Sequence, residues 1–470
     1  MHRLLAATAL ASALASQNAS DNVTLLSRLN TKSGYSGIWG YESPDGREFA
    51  LVGENNGLWI VEVTDPRNPH EIGYYPLPNN RWRECTSYGH YVYSVSEGHN
   101  GLQVVDMIDP ESPRDLGRIV RALWSNAHTV SLDPDMGRIY VNGTSMGMQI
   151  LDVKTDPEHP TLLGTYAQEF VHDSHHRRGK SYLSHYYSGT LRIVSNANPQ
   201  SLTQLGILTT PGNLSHDAWV TDDDKILLTT DENSTPQPGF LQAWDISAPS
   251  IARKLGSYVV PGHIVHTVTI LNRTAYVAWH GEGLQVIDIS DPSNLKRIAY
   301  YDTSSQTTGL NGAWSSYPYF DSGTIVLTDI QEGLFAMRLE VGHMNRFGRT
   351  LPNSAGKAPR ILLGGATPSV GASAATLEIV DLPPNQKFAL AVSSNSANTT
   401  VGILTFYVDL SKAVVVSGTS DAKGKATIPI PIPAVPGLGR QKVWLQVLAT
   451  DPSSLFGIVS SRGHSFGVAP

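Results

Sequence analysis

Seven segments of this chain begin with a glycine and continue as the apolar–polar alternation that is typical of a half-buried β-strand. They are GLWIVEVTDP, GLQVVDMIDP, GMQILDVKTDP, GTLRIVSNANP, GFLQAWDISAP, GLQVIDISDP and GLFAMRLE, starting at Gly57, Gly101, Gly147, Gly189, Gly239, Gly283 and Gly333. Their spacing of about 45 residues is that of a propeller blade of four strands. The pattern therefore predicts an all-β chain containing a seven-bladed β-propeller.

The strands within one repeat follow from the same alternation. Residues 128–167 divide into HTVSLD, RIYVNG, MQILDV and TLLGTYA, which we name strands A to D of one antiparallel sheet. Asp-Pro recurs in the turn between strands C and D, at residues 65–66, 109–110, 156–157 and 291–292. An aspartate there caps the turn and a proline presets its backbone angle, so these pairs are expected to be structural.

The repeats set the expected domain boundaries. The propeller is predicted over residues 22–345, followed by a linker at 346–355 and a β-sandwich accessory domain at 356–470, where strand patterns such as KFALAVSS and KVWLQVLATD continue without the repeat. No D strand follows GLFAMRLE. We therefore expect Val23–Leu29, which precedes the first repeat, to supply that outer strand and close the ring, which removes an open sheet edge.

The first residues indicate export. One arginine, Arg3, precedes an apolar stretch too short to span a bilayer, and Ala13-Leu14-Ala15 fits a small-x-small cleavage site. This predicts a signal peptide over residues 1–15 and a secreted, periplasmic or cell-envelope location. No later segment is long and apolar enough to cross a membrane, so no membrane span is expected. The net charge of -7 gives no reason to expect nucleic acid as a partner.

Several longer motifs carry a family resemblance. The strands IVEVTDP, VVDMIDP, ILDVKTDP and VIDISDP resemble those of LVIVD-repeat propellers. The motifs YSGIWGY, WRECTSYGHYVYSVSE, AHTVSLD, HDSHHRRGKSYLSHY, SHDAWVTDD and NGAWSSYPYF resemble the choice-of-anchor B family of extracytoplasmic bacterial proteins over residues 22–340. The C-terminal part resembles a looser class of modules appended to secreted bacterial proteins. These resemblances imply a propeller and export, and they imply no settled reaction.

One position at the start of strand A holds histidine in four consecutive repeats. Aligned across the seven repeats, the position reads Ser36, Arg83, His128, His172, His216, His266 and Asn311. Strand A is the innermost strand of a blade, so the four histidines are expected to form an arc at one mouth of the central channel. The turns between strands B and C lie on the same face and bring His185, His280, Glu97 and Glu282 to it.

Converging neutral imidazoles are typical ligands of a transition metal such as Zn, Cu or Fe. The predicted metal ligands are His128, His172, His216, His266, His185 and His280. Histidines with a purely structural role, or a polar ligand pocket without a metal, would produce the same pattern. No nucleotide-binding fingerprint occurs in the sequence, so no nucleotide cofactor is expected.

Two functions fit these features. The first is a secreted binding or scaffold protein with a His-lined, metal-binding pocket, whose partner is an unknown extracellular ligand or a small-molecule substrate. The alternative is a secreted metalloenzyme, either a hydrolase or lyase or a copper or iron oxidoreductase. In the enzyme, Glu97 or Glu282 is the candidate general base, and Arg83 is the candidate partner of an anionic substrate group.

Three further expectations concern individual side chains. Cys85, the one cysteine of the chain, is expected to be a small core residue rather than a nucleophile or copper ligand. Asp173 and Asp217 follow arc histidines directly, and strand alternation predicts that both point away from the channel. The tryptophans Trp39, Trp219 and Trp314 are expected to pack between blades.

Overall fold

The computed structural model describes residues 19–119, 124, 126–232, 239–304, 309–341, 345–347, 358–401, 404–435, 438, 441–454 and 457–469. Within these ranges the chain is all-β, and two single-turn 3-10 helices, Tyr186–Ser188 and Pro249–Ile251, are its only helical elements. No helix of the described ranges is long and apolar enough to cross a membrane. The predicted signal peptide at residues 1–15 and most of the predicted linker at 346–355 lie outside the described residues.

Residues 20–339 form seven antiparallel sheets, which we number one to seven. Sheets one and two consist of strands Ile38–Glu42, Glu48–Glu54, Gly57–Glu62 and His70–Pro76, then Arg83–Tyr88, Tyr91–Ser96, His99–Asp106 and Arg114–Ile119. Sheets three and four consist of Val130–Asp133, Arg138–Val141, Met148–Asp152 and Thr161–Tyr166, then Asp173–Arg177, Lys180–His185, Thr190–Ser195 and Thr203–Thr209. In each sheet these strands are A to D, and neighbours in this order are hydrogen-bonded.

The last three sheets follow the same plan. Sheet five consists of Ser215–Val220, Ile226–Asp231, Phe240–Asp245 and Arg253–Tyr258. Sheet six consists of Ile264–Leu271, Thr274–His280, Gly283–Asp288 and Lys296–Tyr301, with Ser20–Asp21 as a fifth, outermost strand. Sheet seven consists of Ala313–Tyr317, Thr324–Asp329 and Gly333–Leu339, and its D strand is Val23–Leu29.

The D strand of sheet seven comes from the N-terminal side of the chain. Val23–Leu29 runs antiparallel to Gly333–Leu339, with Val23 opposite Leu339 and Leu29 opposite Leu334. This confirms the strand predicted from the unpaired repeat. The A strands contact one another in cyclic order from sheet one to sheet seven and back to sheet one. The sheets therefore surround a central channel lined by their A strands, as in a β-propeller.

Apolar side chains from neighbouring sheets form the core. Between sheets seven and one, for example, Val52 and Trp59 pack with Val326 and Ala336, and all four side chains are almost fully buried. Strand B of each sheet is covered on both faces, which explains why segments such as EFALVGE are buried throughout. Burial of each large apolar side chain contributes about 1.5–3 kcal/mol to stability.

The recurring Asp-Pro pairs form the turns predicted for them. The carboxylate of Asp65 accepts the backbone N–H of Arg67 at 3.1 Å, and Asp109, Asp156 and Asp291 accept the equivalent N–H two residues on. Each aspartate thus satisfies a backbone donor that the turn leaves unpaired. The structural role predicted for these pairs is confirmed.

The A strands of sheets five, six and seven each contain a β-bulge near their first residues. The pairing register shifts between Ser215 and Asp217 in sheet five and between Ala313 and Ser315 in sheet seven. In sheet six the shift spans His266 and Thr267. A bulge inserts an extra residue and changes the direction of the side chains around it. The bulges therefore determine the direction in which the side chains of His216 and His266 point.

The chain after the propeller forms sheets of six, three and two strands. Its strands are Asn345–Phe347, Arg360–Gly365, Ala375–Val380, Lys387–Ser393, Ser396–Val401, Leu404–Val408, Val414–Thr419, Ala426–Pro429, Lys442–Thr450, Ile458–Ser460 and Gly463–Gly467. The six-stranded and three-stranded sheets share one core, in which Leu390 and Val447 pack with Ile379. Asn345–Phe347, at the predicted end of the propeller, pairs with Gly463–Gly467.

This C-terminal region contacts sheets six and seven. The backbone N–H of Thr367 donates to the Ser290 hydroxyl at 2.8 Å, and the Thr367 hydroxyl donates to the carbonyl of Arg273 at 3.1 Å. Ala469 is fully buried in the same apolar cluster as Met337 and Val341. The two parts of the chain therefore share both polar and apolar contacts.

Candidate functional site

Five histidines form a continuous arc at one mouth of the channel. Consecutive ring centroids lie 4.2 Å apart between His128 and His172, 4.4 Å between His172 and His216, 4.4 Å between His216 and His266, and 4.5 Å between His266 and His280. The first four occupy the aligned position at the start of strand A, and His280 ends strand B of sheet six. Five of the six predicted ligands are therefore neighbours in the structure, and we call them the histidine arc.

Two of these imidazoles have a tautomer that the backbone determines. The Nδ1 of His216 lies 3.1 Å from the carbonyl oxygen of His266, and the Nδ1 of His266 lies 2.5 Å from the carbonyl oxygen of Trp314. A carbonyl oxygen only accepts, so both Nδ1 atoms donate. Burial lowers the pKa of His266 to about 4 and holds the pKa of His216 well below its usual value. Both rings are therefore neutral near pH 7, and each Nε2 carries a free lone pair.

The Glu232 carboxylate lies within reach of these lone pairs. Its oxygens are 3.7 Å from Nε2 of His216, 3.9 Å from Nε2 of His266 and 3.9 Å from Nε2 of His280. The side chain of Glu232 is only 10% exposed. Burial raises its pKa to about 7, although a hydrogen bond with Tyr186 opposes that shift.

These groups are acceptors that face one another. The separations are too long for direct hydrogen bonds. At these separations a proton on Glu232 forms no direct hydrogen bond with an imidazole, whereas a cation between the groups contacts the carboxylate and the imidazoles together. The ligand atoms of His216, Glu232 and His266 lie within 4.8 Å of one another. The separations of 3.7 and 3.9 Å between the carboxylate and the two Nε2 atoms fit ligands that each stand about 2.0–2.2 Å from one ion.

Glu232 was missing from the set predicted from sequence. It directly follows strand B of sheet five, as Glu97 directly follows strand B of sheet two. The same alignment that selected Glu97 therefore contained the signal for Glu232. Glu232 is hard to align because it lies in the segment TTDENSTPQPG, and the residues that follow Glu232 in this segment have no strand pattern.

The other end of the arc has a different environment. The Nδ1 of His128 lies 2.7 Å from a carboxylate oxygen of Glu97, so Glu97 pairs with a predicted ligand there. His172 stacks on Tyr186 with ring centroids 4.9 Å apart. Burial holds the pKa of His172 well below its usual value, and the neighbouring arc histidines act in the same direction.

His185 does not join the arc. Its Nδ1 lies 3.2 Å from the Glu169 carboxylate and 3.2 Å from Nε of Arg192, and its ring stacks on Tyr166. Strand B of sheet four pairs regularly up to His185, so strand alternation determines which way the side chain faces. The prediction from turn position alone ignored that alternation.

Glu282 and Arg83, the other residues predicted for catalysis, contact groups outside the histidine arc. A carboxylate oxygen of Glu282 lies 3.2 Å from Nε2 of His263. Arg83 is 0% exposed and donates to the carbonyl oxygens of Glu54 at 3.0 Å and Pro78 at 3.1 Å. Burial lowers the Arg83 pKa to about 10. This guanidinium stabilises the backbone between sheets one and two.

A cavity of about 480 Å³ occupies the channel beyond the arc. Asp173 and Asp217 line it, although strand alternation predicted that they point away from the channel. The bulge at His216 is the physical reason in sheet five, because the inserted residue moves Asp217 onto the channel face. In sheet four, strand A begins only at Asp173, so the strand rule does not apply to His172.

Trp39 packs against the apolar cluster between sheets one and two, and Trp219 packs against the cluster between sheets five and six, as predicted. Both rings also line the channel, where their centroids lie 6.3 Å apart. His266 bonds to the carbonyl of Trp314 as His216 bonds to that of His266. Trp314 is therefore the arc-equivalent residue of sheet seven. The alignment on Asn311 is displaced by three residues, because Trp314 is the residue that the bulge inserts, as His216 is in sheet five.

Cys85 is a buried free thiol, and its Sγ lies 3.3 Å from the carbonyl oxygen of Leu51. Burial raises its pKa well above the usual value, and the charge of Glu84 acts in the same direction. A thiol with a raised pKa is a poor nucleophile near pH 7. These properties fit the small core residue predicted from the sequence.

Comparison with known families gives a match to the LVIVD repeat over residues 47–76 and 265–303. These ranges cover most of sheets one and six. A comparison with curated proteins gave no match. Among solved structures, a similar one is the crystal structure of the Myceliophteria_thermophila Cps50 (Swd1) beta-propeller domain. It has a TM-score of 0.49 and 10% identity, and the similarity covers 67% of this chain and 98% of that chain. The predicted LVIVD repeats are thus confirmed over two segments.

Proposed function

We propose that this protein is a metal-binding scaffold whose ion site is formed by His216, His266 and Glu232, with His280 beside them. The observation that carries the proposal is the convergence of lone pairs. Two Nε2 atoms with fixed tautomers face a buried carboxylate, and they lie too far from it for direct hydrogen bonds. A cation is the partner that satisfies all these acceptors together.

The donor set favours a transition metal. Imidazole nitrogens with one carboxylate suit Zn, Cu or Fe, whereas calcium prefers a site made of oxygen ligands alone. The groups around the ligands have the roles expected of supporting partners. The carbonyls of His266 and Trp314 orient two imidazoles, and Tyr186 hydrogen-bonds to Glu232.

The proposal includes the architecture and the location of the protein. The seven sheets would be the blades of one closed propeller, with a β-sandwich accessory domain over residues 356–470. The cyclic contacts of the A strands and the shared core of the C-terminal sheets support this. A signal peptide at residues 1–15 and the resemblance to choice-of-anchor B proteins support export. N-terminal sequencing of the mature protein is the test, and retention of Met1 contradicts it.

A binding role is favoured over a metalloenzyme. Glu97, Glu282 and Arg83 were the candidates for base and substrate partner. Each has its own partner, namely His128, His263 and the carbonyl of Glu54. Glu232 is the acid next to the proposed ion, and its position fits a ligand.

The test is metal analysis of protein purified without a histidine tag. We expect about one Zn, Cu or Fe per chain in the wild type and less than a tenth of that in a His216→Ala/His266→Ala variant. The control is His159→Ala, because His159 is exposed in the turn between strands C and D of sheet three and does not belong to the arc. Circular dichroism and the melting temperature establish whether the double variant is folded.

Two outcomes contradict the proposal. Wild-type protein that contains no stoichiometric metal, and whose melting temperature is unchanged by a chelator, excludes the ion site. A double variant that fails to fold, beside a wild type without metal, supports structural histidines instead.

A further inference from the structure

The channel cavity beyond the histidine arc has walls that suit an organic ligand. We call it the channel chamber. Every sheet contributes to it the residue three positions after its arc-equivalent residue, and these are Trp39, Thr86, Ser131, His175, Trp219, Thr269 and Tyr317. Its volume of about 480 Å³ lies in the range of sites for small molecules. Asp135, Asp222 and Asn272, in turns between strands A and B, also line it, so the chamber extends toward the face opposite the arc.

Three carboxylates, those of Glu84, Asp173 and Asp217, line the end of the chamber nearest the arc. Trp314 donates its indole N–H to Glu84 at 2.7 Å, and Val268 donates its backbone N–H to Asp217 at 2.9 Å. None of the ion pairs found among the described residues involves these three acids. Burial raises the pKa of Glu84 to about 8, so this acid is largely protonated near pH 7 when no ligand is bound. A cationic ligand that takes the place of the proton would stabilise its charged form.

The carboxylates are spread around a volume rather than gathered on a point. In the described part of the chain, the only group of acid and histidine ligand atoms that converges within 4.8 Å is that of His216, Glu232 and His266. A bare metal ion needs such convergence. A larger cation, whose charge is distributed over several atoms, fits acids that surround it at a distance.

Aromatic rings line the chamber further along the A strands from the carboxylates, as Trp219 does two residues after Asp217. Trp39 and Trp219 have ring centroids 6.3 Å apart, Tyr317 lies 5.2 Å from Trp39, and Tyr319 lies 6.1 Å from Trp219. Faces of indole and phenol rings attract alkylammonium ions through the negative charge of their π systems. Arg177, which also lines the chamber, is already paired with Asp222 at 2.7 Å.

His175 provides an independent sign of a missing partner. It lines the chamber, is 8% exposed and packs on Trp219 with ring centroids 4.1 Å apart. Its Nε2 is buried and has no hydrogen-bond partner. Buried polar atoms are almost always satisfied, so this one points to a ligand with a hydrogen-bonding group.

We propose that the channel chamber binds a small organic ammonium ion that carries a polar group, with the cation next to the three carboxylates and in contact with the aromatic rings. Its polar group would pair with His175. The proposal does not depend on the metal site, because its residues differ from the proposed ligands.

Choline is the probe, and 3,3-dimethyl-1-butanol, its neutral isostere, is the matched control. Isothermal titration calorimetry with the full chain should detect choline at millimolar concentration or tighter, with the isostere at least about tenfold weaker. A Glu84→Gln variant keeps an acceptor for Trp314 and should weaken choline binding about tenfold while leaving the isostere unchanged. Trp219→Leu should weaken choline binding by a similar factor.

Glu111→Gln is the control variant, because Glu111 is an exposed acid whose partner is Arg47 in the first sheet. It should bind choline as the wild type does. Repeating the titration after treatment with a chelator should give the same affinity, which separates this proposal from the metal site. Choline that binds no more tightly than its isostere, or equally to Glu84→Gln, overturns the proposal. Heat of binding that is detected with an inorganic cation but not with choline also overturns the proposal.

Discussion

The Nδ1 of His216 lies 3.1 Å from the carbonyl oxygen of His266, across the boundary between sheets five and six. His266 repeats the contact with the carbonyl of Trp314 in sheet seven. Each of these hydrogen bonds joins neighbouring sheets. Each also fixes the tautomer of its imidazole, so that the Nε2 lone pair faces Glu232. Such supporting contacts hold metal ligands in position before an ion arrives.

Replacing Glu232 by glutamine tests the contribution of its charge to metal binding, because the side-chain volume is nearly unchanged. Glu232→Gln should lower the metal affinity at least about tenfold, because an amide oxygen is a weaker ligand than a carboxylate. Competition with a chromogenic chelator measures the affinity. Glu97→Gln is the control, since Glu97 pairs with His128 at the far end of the arc. Equal loss in both variants contradicts a site centred on Glu232.

The hydrogen bond from Trp314 to Glu84 should contribute to stability across the channel. Trp314→Phe removes the indole donor and leaves a buried carboxylate unsatisfied, while the backbone carbonyl used by His266 remains. We expect the free energy of unfolding to fall by about 1–3 kcal/mol. Urea denaturation of Trp314→Phe, of Glu84→Met and of the double variant measures the coupling, because methionine removes the acceptor that glutamine would keep. Strictly additive effects indicate that the bond contributes nothing.

Glu48 should make stability depend on pH. Burial raises its pKa from 4.5 to about 7, although two hydrogen bonds from Ser322 oppose the shift. The unfolded chain therefore loses this proton first, and the stability that protonated Glu48 provides is lost as pH rises from about 4.5 to about 7.

The variant Glu48→Gln stays neutral and should be more stable than the wild type at pH 8, by at most about 3 kcal/mol, with a smaller difference at pH 4. Thermal melting at both pH values measures this. Glu111→Gln is the control for charge removal, since its side chain is exposed. An equal effect of Glu48→Gln at both pH values contradicts the assignment.

Removal of the strand Val23–Leu29 should destabilise sheet seven selectively. A chain that starts at residue 31 exposes the hydrogen-bonding edge of Gly333–Leu339, and we expect a lower melting temperature and association into oligomers. A chain that starts at residue 19 retains the strand and is the control. Size-exclusion chromatography of the two chains measures the difference. A monomeric chain from residue 31 with the control's melting temperature contradicts ring closure by this strand.

The sequence predicted the sheets well because a four-stranded meander repeats its own pattern. Local residue chemistry and the repeat spacing together predict the strand GLWIVEV and the Asp-Pro turns. They also predict the missing outer strand at Val23–Leu29. The order of His128, His172, His216 and His266 follows for the same reason. Equivalent residues of successive sheets are neighbours around the channel.

What the sequence could not predict depends on bulges. A pattern of alternate residues assigns Asp217 to one face, and the bulge at His216 moves it to the other. The same irregularity displaced the alignment of sheet seven from Trp314 to Asn311. Glu232 was missed, although it follows strand B as Glu97 does, because the residues after it have no strand pattern.

The pairing of the first strand with the last sheet has a kinetic consequence. Arg28 and Glu332, which form an ion pair at this junction, are 304 positions apart in the chain. Contacts of such long sequence separation form slowly, because most of the intervening chain must first be ordered. During synthesis Val23–Leu29 therefore remains without its partner until the seventh sheet emerges, so completion of the ring should be the last and slowest step of propeller folding.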